Sequence, residues 1–566
     1  MSEKTRKVII IGLDGATFDL IMPWVEQGKL KTFAKLLQEG SFGTLRSVLP
    51  PYSASAWSSF MTGKNPGKHG VVDFHYVGEG SYDLSFVSSR TRVGASFWQI
   101  AGEHGHKVGV INVPITYPPD RVNGFMISGL GAPGFVEKAV HPPELYNELR
   151  QEVGEYIFKI PIRDYIRKNR LIDCKDLLIK QLKARYQYIQ YLMKNKPWDI
   201  LVAVFSETDH VQHYFWKYMD SSHPLYDPKD AKKAKNAIYD IYSLLDSYLS
   251  EIMKEMKDDT NLLIMSDHGA KPNSNKGVYL NNWLHQEGFL KFLDSHNGER
   301  DDFTLSKRLV LLGKRYIPSS LKLRLKSIPF LKSRIENISR YQNINWAESV
   351  AYADPHRDTV RINLKGREPA GIVDSSEYNK VREEIVQRLK QLRDPETNEI
   401  IFSEIFQREE IFWGPYTDRA PDIVCLQTGR KYLYSVSYFA NSAYRHKKPI
   451  KAYSPGELSH DPSPNAAHSP EGIIIAWGEN FKNGHKVNSC EIIDIAPTVL
   501  YLMGLPIPSD MDGKVLRDIL KDSFLQENKM NFTEVKPQDT PVKGESGYTE
   551  GEEEEFKNAL KDLGYF

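Results

Sequence analysis

Short, unbroken apolar runs recur along the chain, and several are followed at once by aspartate or histidine. Val8-Ile9-Ile10-Ile11 leads to Asp14, Ile200-Leu201-Val202-Ala203-Val204-Phe205 leads to Asp209 and His213, and Leu262-Leu263-Ile264-Met265 leads to Asp267-His268. Apolar runs this short, with no polar alternation, predict strands covered on both faces. Val108 to Val113 and Phe125 to Ile127 read as further buried strands, and Phe33 to Leu37 lies in the helix after the first strand. Helical period returns in Gln181 to Lys196 and in Ile238 to Lys257, each ahead of another strand. Such alternation predicts an α/β fold with a mostly parallel central sheet flanked by helices.

Between His268 and the next core strand, Ile473 to Trp477, lie roughly two hundred residues. That is too long for a loop, so the stretch carries structure of its own. Leu305 to Arg340 is basic and helical, and Val350 to Leu426 holds strand-like runs at Thr359 to Asn363 and Ile423 to Leu426. We read it as an inserted cap subdomain over the sheet edge. The core then closes with Asp494-Ile495-Ala496-Pro497-Thr498, Asp494 suiting a helix N-cap and Gly504 the stop. After about Leu525 the chain turns polar, and Gly544 to Glu555 ends in an acidic run. The expected organisation is therefore a core over 1–274 with a helical insertion at about 140–196, a cap over 275–460, a closing core segment over 461–524, and a mobile tail over 525–566. Within that tail, Glu552 to Leu563 is able to form a short docked helix.

The 74 basic and 73 acidic residues almost cancel, which argues against a dedicated nucleic-acid binder. No window has the ~18 apolar residues of a membrane span, and Met1 to Lys7 carries no signal-peptide core. Cys174, Cys425 and Cys490 show no CxxC spacing. The expectation is a cytoplasmic protein, with its oligomeric state left open.

In an open α/β sheet the carboxyl ends of the strands gather at one edge, where ligands bind. Carboxylates and imidazoles meeting there suit a divalent metal. Asp209 and His213, four apart, share one helix face; a solvated surface pair is the bland alternative. Asp267-His268-Gly269 and Asp14-Gly15 could be no more than tight turns after their strands. His468 sits in the polar stretch Asn465 to Gly472, which reads as a loop, and His460 is a rival for its role. In Pro50-Pro51-Tyr52-Ser53-Ala54-Ser55-Ala56-Trp57, the run from Ala54 to Met61 reads as a helix stopped by Gly63. Ser53 then stands at a helix N-terminus that favours an anion, placed either to attack phosphorus or merely to cap.

In this order, Ile-Gly-Leu-Asp-Gly at Asp14, Ser53 ahead of Thr62-Gly63, Pro66-Gly67-Lys68-His69-Gly70, Asp209 with His213, Ser266-Asp267-His268-Gly269, His468 and Asp494-Ile495-Ala496-Pro497-Thr498 resemble the alkaline phosphatase superfamily. The nearest branch is the type I phosphodiesterase/nucleotide pyrophosphatases. The resemblance covers about residues 6–135, 197–272 and 465–518. It implies an alkaline phosphatase-like core and a hydrolase cleaving phosphodiesters or phosphomonoesters of small molecules. It also implies two divalent ions, usually Zn2+, with Mn2+ or Fe as alternatives. Asp14, Ser53, Asp267 and His268 would then hold the ion beside the nucleophile, and Asp209, His213 and His468 the other. Attack by Ser53 would give a phospho-seryl intermediate.

Several residues depart from that pattern. The branch usually has a threonine nucleophile where this chain has Ser53, with Ser55 two residues on as a register alternative. The diesterases carry an asparagine soon after the His-Gly pair, whereas His69-Gly70-Val71-Val72-Asp73 runs on to Phe74. A sulfatase is not expected, since Ser53-Ala54-Ser55-Ala56-Trp57 lacks the required proline and arginine. A phosphonate hydrolase or a phosphotransferase/mutase of the same superfamily stays open, as does a non-catalytic, metal-stabilised binding protein. Arg357, Arg361, Arg367 and the Arg445-His446-Lys447-Lys448 cluster are candidates to read the leaving group, or else solvated surface. Lys64 and Lys68 are expected to face solvent, and His69 to support loop packing.

Overall fold

The computed structural model describes residues 6–78, 80, 82, 84–257, 259–293, 344–354, 357–436, 448–454, 457–458, 461–535 and 547–565. Among them, nine strands form a central sheet in the order His485–Glu491, Ser41–Arg46, Glu471–Trp477, Thr260–Met265, Lys7–Leu13, Ile200–Phe205, Val108–Ile111, Gly124–Ile127 and Val140–His141. The five from Thr260–Met265 to Gly124–Ile127 are parallel. Glu471–Trp477 runs antiparallel to both its neighbours.

The apolar runs are unbroken because both faces of this sheet are covered. Ile9, Ile11, Leu201, Ala203, Leu262 and Ile264 belong to one core, and Val8, Ile10, Val202, Val204, Leu263 and Met265 to the other. Register fixes where the strands end. Leu13 pairs with Phe205 and Gly12 with Met265, so three strands end level and their aspartates leave the sheet side by side.

A separate antiparallel sheet joins Ala351–Ala353, Thr359–Ile362, Ile423–Leu426 and Glu404–Gln407. With helix Tyr378–Leu389 it packs a core of its own around Val360, Ile362, Ile385, Leu389 and Ile423. The run Leu305 to Arg340 lies outside the described residues. A third sheet is built on the long strand Gly269–Val278, and Ala466–Ser469 pairs with its start. His468 therefore stands on a strand, opposite Ala270, and not in the loop that its polar neighbours suggest. In the region read as a tail, helix Glu550–Leu563 docks Phe556, Leu560 and Leu563 against Ala54, Val71 and Phe74. No helix among the described residues is long and apolar enough to cross a membrane.

Candidate metal centre and nucleophile

Helix Ser53–Thr62 is buried along its whole length and ends at Gly63, whose φ of 66° is the left-handed conformation that glycine adopts without strain. Tyr52 is the N-cap residue, and Ser53 is the first residue of the helix. The Ser53 hydroxyl does not cap; it lies 3.0 Å from His268 Nε2. Ser55 is buried, and its hydroxyl has no hydrogen-bond partner.

Around Ser53 the structure brings together the six predicted acidic and imidazole side chains in two groups. Asp14, Asp267 and His268 form one, and Asp209, His213 and His468 the other. His460, the rival to His468, lies outside the described residues. In the first group His268 Nε2 is 3.5 Å from Asp14 Oδ1 and 3.3 Å from Asp267 Oδ2. In the second, His213 Nε2 is 3.1 Å from Asp209 Oδ1 and 3.0 Å from His468 Nε2, and His468 Nε2 is 3.5 Å from Asp209 Oδ1. Donors bonded at about 2.0–2.1 Å to one tetrahedral ion stand about 3.3 Å apart, the spacing seen here.

The candidate ligands are fixed from behind. His213 Nδ1 donates to the Ala466 carbonyl at 2.7 Å, His468 Nδ1 to the Pro51 carbonyl at 2.9 Å, and His268 Nδ1 to the Gly269 carbonyl at 3.0 Å. A carbonyl only accepts, so each Nδ1 carries the hydrogen and each neutral Nε2 presents a lone pair. The carboxylates follow the same logic. Trp57 Nε1 donates to Asp14 Oδ2 at 3.2 Å, and the Gly15 amide donates to Asp267 Oδ1 at 3.2 Å. Asp14 Oδ1, Asp267 Oδ2 and Asp209 Oδ1 are buried with no hydrogen-bond partner. Buried acceptors in this state are costly unless a cation meets them. These residues fit two divalent ions.

The electrostatics agree for His268 and His468, which burial lowers, and differ for His213, where burial also works downward but Asp209 raises the ring above the ordinary histidine value. Burial, then the charges of Asp267 and Asp209, push Asp14 well above the usual carboxylate range. Burial and Asp209 push Asp267 up to about 7. Burial would raise Asp209 too, but His213 and His468 overcome it and hold that carboxyl well below its usual value. Burial and the nearby His468 lower His268 far below the ordinary histidine value. Among the described ion pairs, these three aspartates are matched by histidines only.

The arginines offered as readers of the leaving group, or else as solvated surface, are instead engaged with carboxylates. Arg357 is buried and bidentate to Asp73 at 2.5 and 3.0 Å; Arg361 pairs with Asp354 at 3.3 Å and Arg367 with Asp422 at 2.6 Å. Arg445, His446 and Lys447 lie outside the described residues. Lys64 is buried against Asp510 rather than solvent-facing, and Lys68 pairs with Asp512 at 2.7 Å. His69 is buried between Ser59 Oγ, at 2.8 Å, and the Val71 amide. Asp494 stands at its helix boundary, but its carboxylate accepts from the Glu491 and Lys514 amides instead of capping its own first turn. Sequence reasoning missed Tyr565, whose hydroxyl lies 3.3 Å from Ser53 Oγ, 3.1 Å from Asp209 Oδ2 and 3.3 Å from His468 Nε2. Nothing in its local sequence signals this.

A family model described as type I phosphodiesterase/nucleotide pyrophosphatase matches residues 8–447. Among solved structures, phosphonoacetate hydrolase from Sinorhizobium meliloti, in complex with phosphonoformate, is 14% identical with a TM-score of 0.51, covering 88% of this chain and 95% of that one. Murine ectonucleotide pyrophosphatase/phosphodiesterase 5 is 13% identical with a TM-score of 0.46, covering 91% of this chain and 100% of that one. At such identity the likeness to the hydrolase speaks for the fold alone. A 2,3-bisphosphoglycerate-independent phosphoglycerate mutase from Bacteroides thetaiotaomicron is 39% identical over 59 residues, which is 10% of this chain and only 12% of that protein's length.

Proposed function

Because the chain belongs to the type I phosphodiesterase/nucleotide pyrophosphatase family, we propose that it is a metal-dependent hydrolase of small phosphate esters working through a phospho-seryl intermediate on Ser53. One observation carries this reading: the Ser53 hydroxyl stands 3.0 Å from His268 Nε2, within a buried pocket of two Asp/His triads. Asp14, Asp267, His268 and Ser53 would hold one divalent ion, and Asp209, His213 and His468 the other. Bound ions would lower the pKa of the serine hydroxyl and neutralise the nonbridging phosphoryl oxygens.

The chain's own residues do the rest. Ser53 Oγ, at the amino end of its helix, attacks phosphorus in line; the Oγ–P bond forms as the bond to the ester oxygen breaks, and that oxygen leaves as an alcohol with the proton Ser53 gives up. The free amides of the first helical turn and the helix dipole favour the anionic phosphoryl group there. Water then attacks the same phosphorus, the Oγ–P bond breaks, and Ser53 Oγ takes one of the water's protons as inorganic phosphate leaves. Trp57 and Gly15 hold the carboxylates in place throughout. The described residues between 275 and 460 act, in this reading, as a cap framing the entrance.

A mixed nitrogen and oxygen donor set suits zinc, with manganese or iron as alternatives. Three buried cysteines, all free, support a reducing, cytoplasmic setting. Asp73 favours a second reading of the substrate. Its carboxylate is locked to Arg357, so it offers no counterpart of the asparagine amide expected in diesterases. Monoesters and phosphonates therefore stay beside diesters as substrate classes. The test is metal analysis with turnover of p-nitrophenyl phosphate and bis-p-nitrophenyl phosphate, using Ser53→Ala as control. Unchanged turnover in the metal-loaded variant removes Ser53 from the nucleophile role.

A further inference from the structure

The candidate site is closed. Ser53 is 1% exposed, Asp14 4%, Asp209 2%, and Asp267 and His268 0%. Beside it lies a cavity of about 50 Å³ lined by Asp14, Asp209, Ala559, Asp562, Leu563 and Tyr565. That holds water, whereas pockets for organic ligands run to ~300–1,000 Å³. An element must move before a phosphate ester reaches Ser53.

We propose that helix Glu550–Leu563 with Tyr565 is an autoinhibitory strap, and that the Tyr565 hydroxyl occupies the place of a substrate phosphoryl oxygen. The inference rests on the reading of Ser53 and the two triads as a phosphoryl-transfer site. In-line attack needs phosphorus within about 3–3.5 Å of the nucleophile. Tyr565 fills that shell, lying 3.3 Å from Ser53 Oγ while also reaching Asp209 Oδ2 and His468 Nε2. A phosphoryl group and this phenol cannot both be there.

The tyrosine is held deliberately. Its ring lies 4.9 Å from that of Phe74, and its carbonyl accepts from Arg357 Nη2 at 3.0 Å, so both the core and the inserted segment grip it. Ahead of it, the helix is latched at its other end. Glu552 accepts from the Tyr117 hydroxyl at 2.6 Å, pairs with Lys138, and closes a capping box with Thr549. Near Tyr565 the Asp562 carbonyl accepts from the Tyr214 hydroxyl at 3.0 Å. Tyr214 follows the candidate ligand His213 directly, so the strap is tied to the helix that carries the site.

The test uses the full-length, metal-loaded protein and inorganic phosphate. Binding is measured by calorimetry for wild type, Tyr565→Ala and Glu552→Ala, with hydrogen exchange of residues 549–565 followed as phosphate is added. If the closed form dominates, apparent affinity is reduced by the open fraction. Tyr565→Ala should then bind phosphate about tenfold more tightly or better. Glu552→Ala, which loosens the latch far from the site, should shift binding the same way by a smaller factor. In wild type, phosphate should speed exchange across 549–565. Unchanged or weaker phosphate binding in both variants, or a strap that exchanges no faster with phosphate bound, overturns the proposal. Turnover retained by Ser53→Ala would instead sink the phosphohydrolase reading, and the binding and exchange data would still report on the strap.

Discussion

The imidazoles of His268 and His468 stack with ring centroids 3.6 Å apart and planes 18° from parallel. One belongs to each triad, so the two candidate ion sites share a wall. Two rings so close cannot both be protonated without repulsion, which suits neutral ligands with their lone pairs aimed inward.

Replacing Ser53 by alanine should cut turnover of both nitrophenyl esters by about 10³-fold or more. Metal content should hold, because six other donors remain. Elemental analysis alongside steady-state rates decides this. A fall in rate that merely tracks lost metal would place Ser53 among the ligands alone.

His213→Ala should take the protein from two equivalents of divalent metal to one, read by elemental analysis after dialysis. Trp57→Phe keeps an aromatic ring but removes the donor that fixes Asp14. Losing such a supporting hydrogen bond typically weakens metal affinity by about 10–100-fold. Chelation should lower the melting temperature of the wild-type protein, since stripping the ions leaves three buried aspartates facing one another.

Gly12 lies on the first strand directly under Trp57, and a Cβ built there meets Trp57 Cη2 at 2.5 Å. Gly12→Ala should therefore displace the indole that holds Asp14. We expect about 1–3 kcal/mol of lost stability, as for other overpacked cores, together with weaker metal binding. Denaturant melts and metal titration of the same variant would show both, and an unperturbed affinity would break the link.

Acid should destabilise the fold through histidines remote from the metal groups. Burial pushes His69 down to about 3 and His223 down to about 4. In the unfolded chain both titrate near 6.5, so between there and the folded values only the unfolded state takes up the proton. Stability contributed by the neutral rings is present above about pH 6.5 and lost as pH falls toward 3–4. Denaturant melts from pH 7.5 to 4 should show the loss, and His69→Gln should flatten it. An unchanged slope in that variant would exclude His69.

Much of the candidate site is legible in the chain. Asp14, Asp209 and Asp267 each follow an unbroken apolar run, and such runs end together when parallel strands share a register. The division into Asp14, Asp267 and His268 for one ion and Asp209, His213 and His468 for the other is implied by the resemblance and not by spacing. The polar, proline-bearing run Asn465 to Gly472 reads as a loop, but pairing of Ala466–Ser469 with Gly269–Val278 overrides that local preference and puts His468 on a strand.

Local pattern thus determined the strands, the helices between them and the acidic residues at their ends, because burial on two faces leaves a periodic trace over a few residues. Tertiary structure alone decided what closes the pocket. The contacts of Arg357 with Asp73 and of Tyr565 with Ser53 join residues 284 and 512 positions apart. Such pairings are set by how whole layers pack, and no short window of sequence carries them.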